Sequence, residues 1–155
     1  MDIHELLNKP IKDMLITGSI DVTDDIFEFM PDYRSYFFSF PEKFLHIESY
    51  EQYSKLRFSI CNNLTFYEYH GEPDYKITFS SVAGMFLRSH FYSDIAIKRI
   101  ILFNAVKNDE SFICDYAEIV LSDEQAICFD PLHFWGIAVD SEPLPPDNTV
   151  ITVIE

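Results

Sequence analysis

From residue 36 onwards, apolar and polar residues alternate in short runs that are joined by turn-forming residues. Alternation with a period of two places every second side chain on the same face, so these runs predict β-strands with one buried face. The joints are short and rich in Pro, Asn, Gly and Asp, which favours hairpins and antiparallel pairing. Strands are predicted over residues 36–40, 44–50, 56–61, 64–70, 75–80, 97–106 and 112–121, from residue 126, and over 149–155.

The most complete of these patterns is a hairpin over residues 112–140. β-Branched and aromatic residues fill both of its strands, and the polar residues 122–125 form the turn. A four-residue turn would place Cys128 opposite Ile119 and Cys114 near His133. The Asp-Pro step at 130–131 and Gly136 then predict a bend or bulge in the return strand.

The remaining segments favour short helices. Apolar residues at helical spacing predict a helix within residues 2–16, a second one capped by Thr23, and a third within residues 81–96. The predicted fold class is α+β: a mostly antiparallel, strongly bent β-sheet or half-barrel with one to three short helices. We expect one domain over 1–155, with a helical, acidic N-terminal segment (1–35), an antiparallel β core (36–140), a proline-rich connector (141–148) and a terminal strand (149–155).

Composition narrows the class of protein. A hydrophobic content of 48% and an aromatic content of 16% exclude global disorder. No apolar run approaches the roughly 20 residues that cross a bilayer, and acids occupy the positions where a secretory signal needs positive charge. These features favour a cytoplasmic protein, in which the three cysteines are expected to be reduced and packed.

Charge gives the strongest functional indication. The chain holds 26 acids and 11 bases, a formal net charge of −15, and 11 acids but no Lys or Arg follow Lys107. Such a field attracts a basic partner and repels nucleic acid and anionic membranes, so neither is expected to bind. A solubility role for the charge is the simpler alternative.

Patterns typical of catalysis or metal binding are weak. Residues 70–74 (HGEPD) and the pair His90 and Asp94 contain metal-ligand types but lack paired His or Cys spacing. Cys114 and His133 could form a nucleophile pair, and Asp115 with Asp130 could form a carboxylate pair on one hairpin face. The four glycines are too scattered for a phosphate loop. The sequence therefore predicts no catalytic residue, no metal site and no cofactor.

Acids interspersed with aromatic residues are suited to binding Lys and Arg, through ion pairs and cation–π contacts. A second acidic patch is present in the N-terminal segment, at Asp21, Asp24, Asp25, Glu28 and Asp32. The predicted partner-binding residues are Asp109, Glu110, Asp115, Tyr116, Glu118, Asp123, Glu124, Asp130 and Trp135.

In size, acidity and β-rich composition, the chain resembles the immunity proteins of bacterial toxin systems, which are compact acidic partners of often basic nuclease toxins. The resemblance is to the class, and it carries no residue role to this sequence. It implies one cognate basic protein as the partner, with no enzymatic activity. Three alternatives stay open: an acidic nucleic-acid mimic that blocks a DNA-binding protein, a small-ligand enzyme or carrier with an aromatic pocket, and a structural subunit.

Overall fold

The computed structural model describes residues 2–65, 76–88 and 94–155. Within these ranges, twelve antiparallel strands, numbered along the chain, form two sheets. The first sheet has the order β5 (Lys76–Ser81), β1 (Asp13–Thr23), β2 (Ile26–Ser39), β3 (Phe44–Tyr50), β4 (Lys55–Cys61), β8 (Ser111–Cys114) and β7 (Val106–Asn108). The second has the order β11 (Gly136–Asp140), β10 (Ala126–His133), β9 (Tyr116–Leu121), β6 (Ile97–Phe103) and β12 (Ile151–Ile154).

The antiparallel β architecture predicted from the sequence is confirmed, but the class is mostly β rather than clearly α+β. The strands divide between two sheets that do not close into a barrel, instead of forming one bent sheet. The helices with bounds in the described part of the chain are short: a 3₁₀ turn at Ile3–Leu6 and one α-helical turn, α1, at Ala83–Phe86. The predicted strand over 64–70 lies largely outside the described residues.

The expected helices of the N-terminal segment are wrong apart from the 3₁₀ turn. Residues 13–39 form the long hairpin of β1 and β2. Asp24 and Asp25, at its tip, both have positive φ (52° and 64°), which builds the two-residue turn that matches strand twist. Val22 and Phe27 are paired across it, so their apolar spacing reflects cross-strand pairing and not a helical face.

The predicted hairpin over 112–140 is correct only from β9 onwards. The chain passes from the first sheet to the second at Asp115, so β8 pairs with β4 while β9 pairs with β6 and β10. Leu121 bonds to Gln125 and Glu124 has a φ of 65°, giving a three-residue loop in place of the expected four. This shifts the register by one residue and places Cys128 opposite Glu118.

The predicted proximity of Cys114 and His133 is also wrong, because β8 and β10 belong to different sheets. Cys114 is buried in the first sheet opposite Leu56, whereas His133 lies at the exposed junction of β10 and β11. The three cysteines are free thiols, and burial raises the pKa of Cys114 to about 12. A protonated, enclosed thiol of this kind is a packing group and a poor nucleophile.

Aromatic side chains hold the two sheets together. Phe129 of the second sheet meets Tyr36 and Phe38 of the first edge to face, with ring centroids 6.2 and 6.3 Å apart. Phe58, Ile119 and Phe129 are fully buried in the same core. The inward positions of both sheets therefore form one continuous core.

The first sheet also carries a buried polar group on the strand positions that alternate with its core residues. The His46 ring stacks on Phe37, with centroids 4.1 Å apart, and a 2.7 Å hydrogen bond joins its Nε2 to Ser35 Oγ. Burial lowers the pKa of His46 to about 4, although Glu48 lies nearby. The neutral imidazole is thus the form that the fold accommodates.

We expect protonation of His46 to destabilise the fold. Because the folded pKa of about 4 lies below the ordinary value of 6.5, the unfolded chain binds the proton first as pH falls. Above pH 6.5, His46 is neutral in both the folded and the unfolded chain and does not lower the free energy of unfolding. As pH falls towards 4, His46 lowers the free energy of unfolding by about 2–3 kcal/mol. Urea unfolding of the native chain and of the His46→Gln variant over this pH range gives the difference in unfolding free energy between the two proteins. All other groups titrate in both proteins, so their effects cancel in this difference. A constant difference in unfolding free energy would contradict the assignment.

Candidate functional site

The β1–β2 hairpin extends beyond its neighbours as a two-stranded projection. In the described residues, β5 pairs with β1 only as far as Ile20, and β3 pairs with β2 only from Ser35. Residues 21–28, here called the arm, therefore pair only with each other in the described sheet. They extend about 10 Å past the last residue that β5 supports.

The arm exposes apolar side chains that a solvated hairpin has no structural need for. Val22, Ile26 and Phe27 are exposed by 45%, 69% and 74%, and Met30 at the base of the arm by 50%. Contiguous exposed apolar groups rimmed by polar ones mark interaction surfaces. The paired residues Val22 and Phe27 expose such groups on one side of the arm, and Ile26 exposes another on the opposite side, which also carries Asp21 and Glu28.

The arm also concentrates negative charge. Asp21 lies directly opposite Glu28, and Asp24 and Asp25 form the tip. Like charges in opposite positions destabilise a sheet. Within the described part of the chain, no Lys or Arg forms an ion pair with any of these four acids. A cationic partner would relieve this repulsion.

At the base of the arm, β2 contains a wide bulge. Ile16 pairs with Tyr36 and Gly18 with Pro31, so four residues of β2, 32–35, lie opposite a single residue of β1. Arg34 donates from Nε and Nη2 to the two carboxylate oxygens of Asp32, both at 2.7 Å. This fork raises the pKa of Arg34 and neutralises Asp32. The bulge belongs to the class of irregularities that often lie beside binding sites.

The turn between β10 and β11 packs directly on this bulge. Gly136 has a φ of 135°, and a Cβ placed there would lie 2.6 Å from the carbonyl oxygen of Tyr33. The turn carries Phe134 and Trp135, exposed by 85% and 68%, and Leu132 at the end of β10 is exposed by 75%. The only tryptophan is therefore at the surface and does not close the core.

A groove of about 1030 Å³ is lined by residues of the bulge and of β11. Its walls include Met30, Ile77, Trp135 and Ile137, and the Asp32–Arg34 pair lies at its side. Thr17 also lines the groove. This residue is only 3% exposed, yet its hydroxyl has no hydrogen-bond partner among the described residues. A buried hydroxyl without a partner is rare, because its desolvation is not compensated.

Three of the acids predicted to bind a partner are engaged within the protein. Asp115 accepts hydrogen bonds from Lys55 and, at 2.7 Å, from Asn104. Burial opposes ionisation of Asp115, but these two donors hold its pKa below the ordinary range. Glu124 pairs with Lys98, which lowers its pKa, while burial raises the pKa of Glu118.

The other predicted residues are dispersed. Tyr116 is 4% exposed, and its hydroxyl accepts the Leu144 amide at 3.0 Å. Asp109 and Glu110 occupy the turn between β7 and β8, and β3 and β4 lie between β8 and β2, which alone corresponds to about 14 Å across the sheet. Asp123 accepts the amide of Gln125 in the β9–β10 turn. Of the nine predicted residues, Trp135 lines the groove, and Asp130 accepts the Leu132 amide at the start of the neighbouring turn.

The exposed residues Phe27 and Phe134 were not predicted from the sequence. Their signal is local: each is an aromatic residue close to a turn, where the core alternation has ended. The sequence pattern predicts a helix at Phe27 and a bend or bulge in the return strand around Phe134. Phe27 is exposed because it lies in the arm, and Phe134 is exposed because it lies in the turn between β10 and β11.

No group of three His, Cys, Asp or Glu able to hold a metal ion occurs among the described residues. Residues 70–74 and His90 of the sequence-based metal hypotheses lie outside them. No helix in the described ranges has the length and apolar character required to cross a membrane. Comparison with family models, curated proteins and solved structures gives no match.

We expect Gly136→Ala to lower the free energy of unfolding by about 2 kcal/mol, because φ is unfavourable and the new methyl group meets the Tyr33 carbonyl. Urea unfolding gives the value. Gly84→Ala, at an exposed position of α1, is the matched control, and its expected effect is neutral or stabilising by up to about 1 kcal/mol. Equal effects of the two substitutions would contradict the close contact.

Thr17→Val should raise the free energy of unfolding by about 1 kcal/mol, since it replaces the hydroxyl that lacks a partner with a methyl group of similar size. Ser35→Ala is the matched control, because the Ser35 hydroxyl is equally buried but bonded to His46. That control should lose about 1–2 kcal/mol. Destabilisation by Thr17→Val would show that the hydroxyl is satisfied in the folded protein.

Proposed function

We propose that this chain is a non-catalytic inhibitor of the immunity-protein type, which binds one basic toxin domain through the arm and the β10–β11 turn. The observation that carries the proposal is the arm itself, where four acids without an ion-pair partner in the described chain flank exposed apolar side chains. Neither a cofactor nor a metal is required for this activity.

The two parts of the surface would contribute differently to binding. Burying an exposed aromatic or aliphatic side chain contributes about 1.5–3 kcal/mol, so Phe27, Phe134 and Trp135 are suited to serve as anchors. The acids would mainly raise the association rate with a positively charged cleft and select against acidic partners. Pairing of its two strands holds the acids and the apolar side chains of the arm in one register before binding, which reduces the entropy lost on association.

The exposed apolar groups favour one specific partner over a general nucleic-acid mimic. A mimic needs carboxylates spaced like phosphates, and it gains specificity poorly from large apolar side chains at its contact surface. Three such side chains, Leu132, Phe134 and Trp135, lie at the end of β10 and in the turn that follows it. Their burial requires a complementary apolar surface on the partner, which different DNA-binding proteins would not share.

The test of this function is capture of proteins from lysate of the native organism, with washes at low and then high salt. One basic protein retained at high salt, whose toxic activity is abolished by the full chain, is the expected result. Loss of many DNA-binding proteins together at high salt would favour the mimic. Absence of any retained protein would contradict the proposal.

Charge reversal then locates the interface. We expect Asp21→Lys/Asp25→Lys/Glu28→Lys to slow association with the captured protein by about 10–100-fold at low salt, with a smaller effect at high salt. Asp109→Lys/Glu110→Lys/Asp123→Lys carries the same change in charge at distant turns, and its effect should stay within about threefold. Surface plasmon resonance measures both. The opposite ranking would place the interface on the C-terminal acids.

A further inference from the structure

The apolar groove and the acidic arm are continuous on one face of the first sheet. The register pairs Ser19 with Met30 and, two residues further along, Asp21 with Glu28. Residues two apart on a strand point to the same side, so the acidic pair follows the groove wall after about 7 Å. Ser19 is also paired with Ile77 of β5, which extends the same wall.

The groove itself combines apolar walls with one unsatisfied polar group. Met30, Ile77 and Trp135 offer partly exposed apolar surface, 50%, 41% and 68% respectively. Thr17 contributes the buried hydroxyl that no group in the described part of the chain satisfies. A ligand with both apolar surface and a hydrogen-bonding group would satisfy what the protein leaves open.

We propose that the groove receives an apolar side chain from a basic segment of the partner protein, whose Lys or Arg residues then lie against the Asp21–Glu28 pair. This inference rests on the proposed inhibitor function and specifies the part of the partner that is recognised. Charge complementarity selects this occupant, because the wall that leaves the groove ends in two opposed carboxylates.

Each component of such a segment has a place. The apolar side chain fills the space between Met30 and Ile77, where it loses contact with water. A backbone amide of the segment supplies the missing hydrogen bond to the Thr17 hydroxyl. A cation beside the groove mouth can lie over the Trp135 indole, in addition to its ion pair with the carboxylates.

Trp135 provides a direct reporter because it is the only tryptophan and it lines the groove. The experiment titrates the full-length chain with capped, tryptophan-free hexapeptides and follows the indole emission. The probe is Lys-Lys-Phe-Phe-Lys-Lys. Glu-Glu-Phe-Phe-Glu-Glu tests the need for positive charge, and Lys-Lys-Ser-Ser-Lys-Lys tests the need for apolar side chains. We expect the probe to bind at least about tenfold more tightly than either control.

Two variants separate the contributions. Asp21→Asn/Glu28→Gln should weaken binding of the probe by about tenfold at low salt and remove most of its salt dependence. Thr17→Val should weaken it about three- to tenfold while the variant itself becomes more stable, which excludes unfolding as the cause. Asp109→Asn/Glu110→Gln is the control for the loss of two negative charges elsewhere, and it should leave the affinity unchanged.

The outcomes distinguish this inference from the function on which it rests. Equal responses to all three peptides, or none, would overturn the groove as a site for a basic apolar segment, even if lysate capture yields one basic partner. Tight binding of the acidic peptide would do the same. Selective binding of the probe, lost in both groove variants, would support the site even if lysate capture fails and contradicts the inhibitor function.

Discussion

Packing of aromatic side chains between the two sheets is the interaction on which the other features depend. Phe129 contacts both Tyr36 and Phe38, and burial of such residues is the dominant stabilising term in a fold of this size. Because the core is complete without the tip of the β1–β2 hairpin, the arm is free to carry side chains that contribute nothing to stability. The bulge at 32–35 reorients β2 between these two parts.

The packed sheets and the arm also differ in how their charges are compensated. Two acids beside packed strands are neutralised by a base of a neighbouring strand: Asp115 by Lys55 and Glu48 by Arg57. The acids of the arm have no such neighbours in the described residues, and the opposed pair Asp21 and Glu28 remains a local cost. The net charge of the sequence therefore does not show where in the structure the uncompensated negative charge is concentrated. The arm, and not the charge-rich C-terminal third, carries its most concentrated part.

Sequence patterns were most reliable where alternation and turn chemistry agreed. The strand β3 was predicted with its observed bounds, and β4 to within one residue. Predictions failed where apolar residues served contacts other than a core. Phe27 and Met30 suggested a helical face but lie on a projecting hairpin. The loop between β9 and β10 is one residue shorter than predicted, and this shifts the register of β9 against β10. In the structure, the shorter loop is marked by the positive φ of Glu124.

The sequence by itself determined the β class, the antiparallel pairing, the reduced state of the cysteines and the excess of negative charge, because these follow from local periodicity and composition. Only the tertiary structure decided which acids are neutralised and which aromatic residues are exposed. It separates Asp109 from the arm, buries Glu118 and brings Trp135 beside Met30 in one groove. These outcomes depend on contacts between residues far apart in the chain, whose energies no local pattern encodes.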